Sequence, residues 1–342
     1  MKLRIASLMM AAVATLLATA APLHAADTLR DLQLAAQSGD LPTVQRLVAE
    51  HPELLSAKDA AGSTALHAAA LARSTETIHL LLEQGARTDA ADRDGRTPLH
   101  LAARALLSDN VAALIAGKTT PDAADRLGET PLHLAILEGP PDSAAARLRV
   151  VNTLLAAGAN PAAADQTGAT ALHMSAARNR PEVLDALLKP RANAGATSGA
   201  NPLSIEARDR RGRTALHLAA QADSAAVIDW LLAHHAAMNA PDLTGETPLF
   251  TAARRFKDDA ATRLIRAGAS VAARNAQGGT ALHAVAGEDM DDADMETAAM
   301  RIAAVLLKNG VDPAAKDTTG RTAADIAAAN HYDRLTEMLR GK

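Results

Sequence analysis

The chain has 342 residues, a formal net charge of −4 and no cysteine. Hydrophobic residues make up 48% of it, yet the aromatic ones are one Trp, one Tyr and two Phe. Single cores stop growing beyond about 250–300 residues and normally use more large side chains, so one large globular core is excluded. The acidic balance argues against a nucleic-acid binder, and no disulfide can form in any compartment.

The first 25 residues, MKLRIASLMMAAVATLLATAAPLHA, differ from the rest. Lys2 and Arg4 precede a short apolar core that ends in small residues, which is the pattern of a cleaved secretory signal and too short for a membrane anchor. We expect cleavage after Ala25. The Ala-rich core is typical of bacteria and no Cys follows it for lipid attachment, so we predict a periplasmic protein without a membrane anchor. Removal of the segment leaves 33 basic and 39 acidic side chains, a net charge of −6.

One phrase then recurs eight times: an Asp or Asn, a Gly three residues later and a Thr two residues after the Gly. Residues 92–103, DRDGRTPLHLAA, are the clearest copy. The Thr residues are Thr64, Thr97, Thr130, Thr170, Thr214, Thr247, Thr280 and Thr322. Four of their seven intervals are 33 residues, and a degenerate unit over 31–59 precedes them. Such a period indicates a stack of small structural repeats.

Each copy predicts a pair of helices. Thr97 has the side-chain oxygen of an N-cap, and Pro98 sits at the first helical position, where its missing N–H costs nothing. A second apolar run follows, such as residues 77–86. Four of these runs end in Gly and one in His235, where we expect a left-handed residue. Two slim, Ala-rich helices cannot bury their apolar face alone, so neighbouring repeats must stack.

The Thr-Pro-Leu-His-x-Ala segment resembles the ankyrin-repeat family, and the resemblance covers about residues 27–342. It implies two antiparallel helices and a hairpin turn in each repeat. We therefore predict an all-α ankyrin-repeat solenoid of about nine helix–turn–helix repeats with connecting hairpins, in a single domain over residues 26–342. The predicted repeats are residues 27–58, 59–91, 92–124, 125–164, 165–208, 209–241, 242–274, 275–316 and 317–342.

Three insertions interrupt the period. Residues 138–147 and 287–298 fall between the two helices of their repeats, whereas residues 189–207 extend a hairpin. Insertions between helices should project from the edge opposite the hairpins, so we expect them to form a separate surface.

Histidine occupies one slot of the first helix in six repeats: His67, His100, His133, His173, His217 and His283. Stacked helices lie about 8–10 Å apart, whereas metal–nitrogen bonds are about 2.0–2.1 Å long, so successive slots cannot share a metal ion. Phe250 fills the slot in the seventh repeat, which a shared catalytic role would not tolerate. We predict a structural role, in which each histidine ties its repeat to the neighbour.

Two further motifs are weak. Residues 116–120, AGKTT, lack the Gly that a phosphate-binding loop needs at position 112, and they fall where a turn after a second helix is expected. Residues 288–296, EDMDDADME, hold six carboxylates but lack the central Gly and the spacing of a calcium loop. Solvation, charge at a helix N-terminus and weak cation binding stay open for them. No catalytic set or nucleotide fingerprint appears, so we predict no enzyme activity, no cofactor and no metal site.

The resemblance implies that partners bind at hairpin tips and on the inner face of the first helix. These positions are Arg93, Asp94, Arg96, Arg104, Arg126, Leu127, Glu129, Glu138, Gln166, Arg178, Arg210, Arg211, Arg213, Leu243, Glu246, Arg254 and Arg255. Ten of the seventeen are Arg and four are acidic, against a net acidic chain. Either they are solvated turn and helix residues, or they recognise carboxylates, which suit the planar guanidinium group.

The leading hypothesis is a periplasmic module that inhibits, escorts or protects one protein partner with an acidic patch. We expect the partner at the third to seventh repeats, centred on Arg210, Arg211, Arg213, Arg254 and Arg255, with Arg211 and Arg254 exposed. Resemblance to exported bacterial ankyrin proteins suggests neutralisation of a toxic effector or, alternatively, support of peroxide defence. An enzyme and a structural spacer are the competing classes, and homo-oligomerisation stays open.

Overall fold

The computed structural model describes residues 27–139, 141–189, 203–288 and 293–341. Apart from short 3₁₀ segments and two isolated β-bridges, every regular element in these ranges is an α-helix, which confirms the all-α class. The predicted signal, residues 1–25, lies outside the described residues. No helix in the described part of the chain is long and apolar enough to cross a membrane.

The helices group into two compact units, unit 1 up to Ala159 and unit 2 from Asn160. The first helices of unit 1 are α1 (27–38), α3 (Ala65–Ala69), α5 (Pro98–Arg104) and α7 (Pro131–Leu137). Its second helices are α2 (Leu41–Glu50), α4 (Glu76–Glu83), α6 (Ser108–Ala116) and α8 (Ala144–Ala156). The 3₁₀ segments of this unit are Pro52–Leu55 and Pro141–Ser143.

Unit 2 contains five helix pairs within the described residues. Its first helices are α9 (Ala171–Ala177), α11 (Ala215–Ala222), α13 (Pro248–Arg254), α15 (Ala281–Gly287) and α17 (Ala323–Ala329). Its second helices are α10 (Leu184–Leu188), α12 (Ala225–Ala233), α14 (Asp258–Arg266), α16 (Ala293–Lys308) and α18 (Asp333–Leu339). A 3₁₀ segment, Pro181–Val183, precedes α10. The pairs follow the nine predicted repeats, while the single continuous domain stays a prediction.

The core of each unit is a thin layer of small side chains. First helices pack on neighbouring first helices, and second helices on second helices, as in α11–α13 and α12–α14. Leu99, Ala102 and Ala103 of α5 are fully buried, and so are Ala215 and Ala219 of α11. Because alanine keeps neighbouring backbones close, this core fills its space without the aromatic residues that the sequence lacks.

The five second helices for which a left-handed end was predicted do end in a left-handed residue. Gly occupies this place with φ between 89° and 97° at Gly85, Gly158, Gly268 and Gly310. His235 has φ 61°, and Lys118 has φ 63°. Residues 116–120 therefore lie at the end of α6 and in the turn after it, where the sequence places a turn after a second helix.

In five repeats the histidine joins its repeat to the next one within the same unit. In α5, Nδ1 of His100 accepts the backbone N–H of Thr97 at 3.0 Å, and Nε2 lies 3.1 Å from the carbonyl oxygen of Glu129. Because Nδ1 accepts, Nε2 carries the proton and donates it to that carbonyl. Equivalent bonds of 3.0–3.2 Å run from His67 to Arg96, His173 to Arg213, His217 to Glu246 and His283 to Arg321. This geometry confirms the structural role.

Burial favours the neutral form of these rings. His100, His173 and His217 are 0% exposed. Burial lowers the pKa of all three below the ordinary value of 6.5. In the seventh repeat, where Phe250 replaces the ring, the hydroxyl of Thr247 is buried and has no hydrogen-bond partner among the described residues. The imidazole thus satisfies polar groups that phenylalanine leaves unpaired.

A second set of bonds connects the hairpins. Oδ1 of Asp209 accepts the backbone N–H groups of Arg211 and Arg213, both at 2.9 Å, and closes the hairpin. The N–H of Leu243 in the next hairpin donates to the carbonyl of Arg211 at 3.0 Å. Gly212 has φ 76°, and a Cβ there would lie 2.9 Å from the nitrogen of Leu243. Glycine is therefore required for both conformation and close approach.

Basic side chains that were not predicted from the sequence reinforce this ladder. They directly precede the Asp or Asn of their hairpins and reach a carbonyl of the next one. The bonds run from Lys58 to Ala91, from Arg208 to Pro241 and from Arg274 to Lys316, at 2.6–2.9 Å. These three cations are thus held by the backbone and contribute to the stacking of repeats.

Gly212→Ala is expected to destabilise the protein more than Gly268→Ala. Both glycines have positive φ, so alanine at either position costs about 1–2 kcal/mol. Only at Gly212 does the added Cβ meet backbone, because Gly268 has nothing within 4 Å. Denaturant unfolding followed by circular dichroism measures both losses. Equal losses would contradict the close packing of the hairpins.

His217→Phe, which copies Phe250, is expected to lower the free energy of unfolding at pH 7.5 by about 1–3 kcal/mol, since it leaves buried polar groups unpaired. The difference in free energy of unfolding between the wild type and His217→Phe should shrink as the pH falls from 7.5 to 5. Burial lowers the folded-state pKa of His217, so the unfolded chain takes up protons first and wild-type stability falls below pH 6.5. Denaturant melts across this pH range test both statements, with metal content measured alongside. A pH-independent difference, or an unchanged stability with lost metal, would contradict the structural role.

Candidate partner-binding surface

Seven of the seventeen predicted partner residues meet around one pocket in unit 2. Its volume is about 480 Å³. The predicted residues in its wall are Arg210, Arg211, Arg213, Leu243, Glu246, Arg254 and Arg255. The wall is completed by Gln221, Asp242, Thr244 and Thr251. We call this concavity the arginine pocket.

The sixth and seventh repeats form the pocket because their hairpins stack in register. The bond between Leu243 N–H and the Arg211 carbonyl sets the two hairpin tips side by side. Below them α11 packs on α13, and Arg255 is the C-cap of α13. Stacking of repeats therefore brings residues of two hairpins and of the helices α11 and α13 around a common space.

Arg254 forms one fixed wall of the pocket, which corrects the prediction that it is exposed. Its side chain is 35% exposed and pairs with Glu246 and with Glu288, the latter at 2.6 Å. Burial alone would lower the pKa of Arg254, but the hydrogen bonds that it donates to both carboxylates outweigh burial and raise that pKa. Glu246 is only 8% exposed, and a contact role for it stays a prediction. Both side chains serve to hold the pocket together.

Arg213 is held in a similar way on the sixth repeat. Its guanidinium lies 2.7 Å from Oδ2 of Asp209, whose side chain is buried, and 3.2 Å from the amide oxygen of Gln221. Burial acts to raise the pKa of Asp209, yet the backbone and side-chain hydrogen bonds of Arg213 outweigh it and lower that pKa. This arginine has a partner within its own chain.

Three arginines of the pocket remain exposed. Arg210, Arg211 and Arg255 make no ion pair or side-chain hydrogen bond within the described residues. Beside them Leu243 is 75% exposed, the largest exposed fraction among the large apolar side chains of the described chain. The pocket thus presents free positive charge next to an uncovered leucine.

The charge of the pocket opposes that of the whole chain. Its wall contains five arginines and two carboxylates, Asp242 and Glu246, whereas the chain carries a formal net charge of −4. Arginines in one concave site reinforce one another's field and attract an acidic ligand at a distance. The local excess therefore supports the interpretation of this surface as a binding site.

The remaining predicted residues lie elsewhere on the two units. In unit 1 the exposed ones are Arg93, Asp94, Arg104, Arg126, Leu127 and Glu138. Arg96 and Glu129 are half-buried, and Arg96 pairs with Asp94 at 3.4 Å and with Asp125 at 3.6 Å. In unit 2, Gln166 and Arg178 are exposed outside the arginine pocket. A contact role for these residues stays a prediction.

Unit 1 contains a smaller pocket of about 260 Å³ that the sequence analysis missed. Its wall includes Leu34 and Leu71, which are 54% and 40% exposed, together with Arg30 and Asp59. Leu34 belongs to the degenerate first repeat, where the pattern gives no register for contact positions. The exposed leucines were therefore not recognised as a surface feature.

The acidic insertion is not wholly separate from the hairpin side, contrary to expectation. Glu288, the first residue of the acidic stretch 288–296, follows α15 and pairs with Arg254 of the arginine pocket. Glu296 pairs with Arg334 at 3.6 Å. Residues 289–292 lie outside the described residues, as do residues 190–202 of the long hairpin. Weak cation binding by the insertion therefore stays open.

Comparison with known proteins agrees with this architecture. The family model of ankyrin repeats (three copies) matches residues 32–122, 108–198, 143–242 and 198–275, which together exceed half of the chain. Among solved structures, the chain is similar to the ankyrin repeat domain of Bcl-3, a unique member of the IkappaB protein family. The TM-score is 0.55 and the identity 30%, over 73% of this chain and 100% of that one. A search of curated proteins gave no match. The chain belongs to the ankyrin-repeat family.

Proposed function

We propose that this protein is an exported binding module that captures one acidic protein partner through the arginine pocket. Ankyrin repeats are protein–protein interaction modules and are generally not catalytic. The observation that carries the proposal is the group of three unpaired, exposed arginines beside Leu243 on a chain of net negative charge. Such a site attracts a complementary acidic surface and speeds its association.

The proposed compartment is the periplasm, and it is supported by residues 1–25. Their basic start, apolar core and small residues near Ala25 have the order of a secretory signal. Binding in that compartment would inhibit, escort or protect the partner. Neutralisation of a toxic effector is the favoured role, and support of peroxide defence is the alternative. A deletion strain that is killed by toxin-bearing neighbours favours the first role, and one that is sensitive to peroxide favours the second.

Export is tested by the mass of the mature protein. We expect the protein isolated from the periplasm to have the intact mass of residues 26–342, because signal peptidase cleaves after small residues such as Ala25. Mass spectrometry of the intact protein resolves this loss without digestion. A periplasmic protein that retains residues 1–25, or a protein confined to the cytoplasm, would contradict the proposal.

Capture of the partner is tested with the mature protein as bait in periplasmic extract. We expect one acidic protein to be retained at low salt and released as the ionic strength rises, since the screening length falls to about 8 Å at physiological salt. Arg211→Glu should abolish most of this capture, because Arg211 lies in the pocket and is exposed.

Arg266→Glu is the control for this capture. Arg266 is also exposed in unit 2 but lies at the end of α14, outside the pocket. We expect Arg266→Glu to capture as much partner as the wild type does. Both Arg211→Glu and Arg266→Glu should melt at the wild-type temperature. Retention of the same partner by Arg211→Glu would show that the partner binds another surface, and no retained protein at all would favour a structural spacer.

A further inference from the structure

The available cations of the arginine pocket come from two adjacent repeats. Arg210 and Arg211 lie in the hairpin of the sixth repeat, and Arg255 caps α13 in the seventh. Each exposed guanidinium presents a planar fork of N–H donors that matches the two oxygens of a carboxylate. A ligand that satisfies both repeats must therefore carry at least two separate negative groups.

Leu243 adds an apolar requirement at the same place. It lies on the hairpin tip next to Arg211, to whose carbonyl its N–H is bonded at 3.0 Å. With 75% of its surface exposed, it has little cover within the described chain. An apolar group of the ligand that covers it gains free energy by leaving water. A ligand that carries only charged groups leaves Leu243 exposed to water.

The acids in the wall disfavour a dense polyanion. Asp242 and Glu246 stand among the arginines, and Glu288 adds a third carboxylate through its pair with Arg254. Closely spaced phosphates would bring negative charge against these groups. Carboxylates spaced along a peptide can each meet an unpaired arginine, and a side chain between them can reach Leu243. The mixture of charges therefore favours protein over nucleic acid.

We propose that the arginine pocket recognises an extended segment of a protein in which carboxylates flank one bulky apolar side chain. The carboxylates pair with the exposed arginines of both repeats, and the apolar side chain packs on Leu243. This inference rests on the proposed function and specifies the chemistry of its partner. A pocket of about 480 Å³ has room for a few side chains, not for a folded domain.

The probe is a library of random peptides displayed on phage and panned on the mature protein at physiological salt. We expect selected peptides to combine Asp or Glu with Leu, Ile, Met or Phe. Panning on Leu243→Ser should remove the apolar preference and keep the acidic one. This separates the two parts of the recognition, and Leu243 is exposed enough for the substitution to leave the fold intact.

One selected peptide is then synthesised with a fluorescent label, and its anisotropy gives the affinity for each variant. Arg211→Glu and Arg255→Glu should each weaken binding by roughly tenfold or more. Arg266→Glu should not, although Arg255 and Arg266 both lie at C-terminal ends of helices in the seventh repeat. Loss of a favourable cation at a helix end is thus common to the two variants. Melting of each variant confirms that it is folded.

The inference is overturned if selection yields neutral or basic peptides, or if Arg255→Glu and Arg266→Glu bind the acidic peptide equally. It is also overturned if inorganic phosphate or a single-stranded DNA oligonucleotide displaces the peptide at lower concentration than an unlabelled copy does. Failure of the proposed function gives a different result: Arg211→Glu captures the same partner as the wild type, or no protein is retained at all. Partner capture that is lost in Arg211→Glu while selected peptides are not acidic leaves the function standing and removes only this specificity.

Discussion

The bond from a buried imidazole to a carbonyl of the following repeat sets the geometry within each unit. In the sixth repeat, His217 accepts from Thr214 and donates to the carbonyl of Glu246, 3.0 Å away. Glu246 directly precedes Thr247, the N-cap of α13. One ring therefore fixes where its own helix starts and where the next one begins. Both ring nitrogens are buried and hydrogen-bonded. The ring therefore has no lone pair for a metal and no proton to offer a substrate.

The same stacking determines which arginines can act on a ligand. The backbone of Glu246 is held by His217, and its carboxylate holds Arg254, which in turn holds Glu288. A guanidinium fixed between two carboxylates is a rigid part of the wall. Only arginines that point away from such acids keep their donors for another molecule. The architecture of the repeats thus sorts chemically identical side chains into structural and available ones.

Much of the fold follows from local sequence signals. The nine repeats were predictable from three features of the sequence. A Thr caps each short apolar helix, a Gly two residues before it adopts the left-handed conformation of the hairpin, and these residues recur mostly at an interval of 33. The pocket was predictable in outline because hairpin tips carry the contact positions. The state of Arg254 was not, since its partners are 8 and 34 residues away and the direction of its side chain depends on packing. For Arg208 a signal existed, a basic residue directly before the hairpin Asp.

Specificity in such a protein must come from the positions that do not repeat. The Thr, Gly and His positions are buried or backbone-bound and nearly identical from repeat to repeat, so they cannot distinguish one ligand from another. At the two hairpin positions between Asp and Gly, the sixth repeat has Arg210 and Arg211, while the seventh has Leu243 and Thr244. Register between the hairpins sets these pairs side by side in a fixed order, charge first and apolar surface next. A uniformly acidic surface satisfies only the first pair, so the order itself selects among acidic proteins.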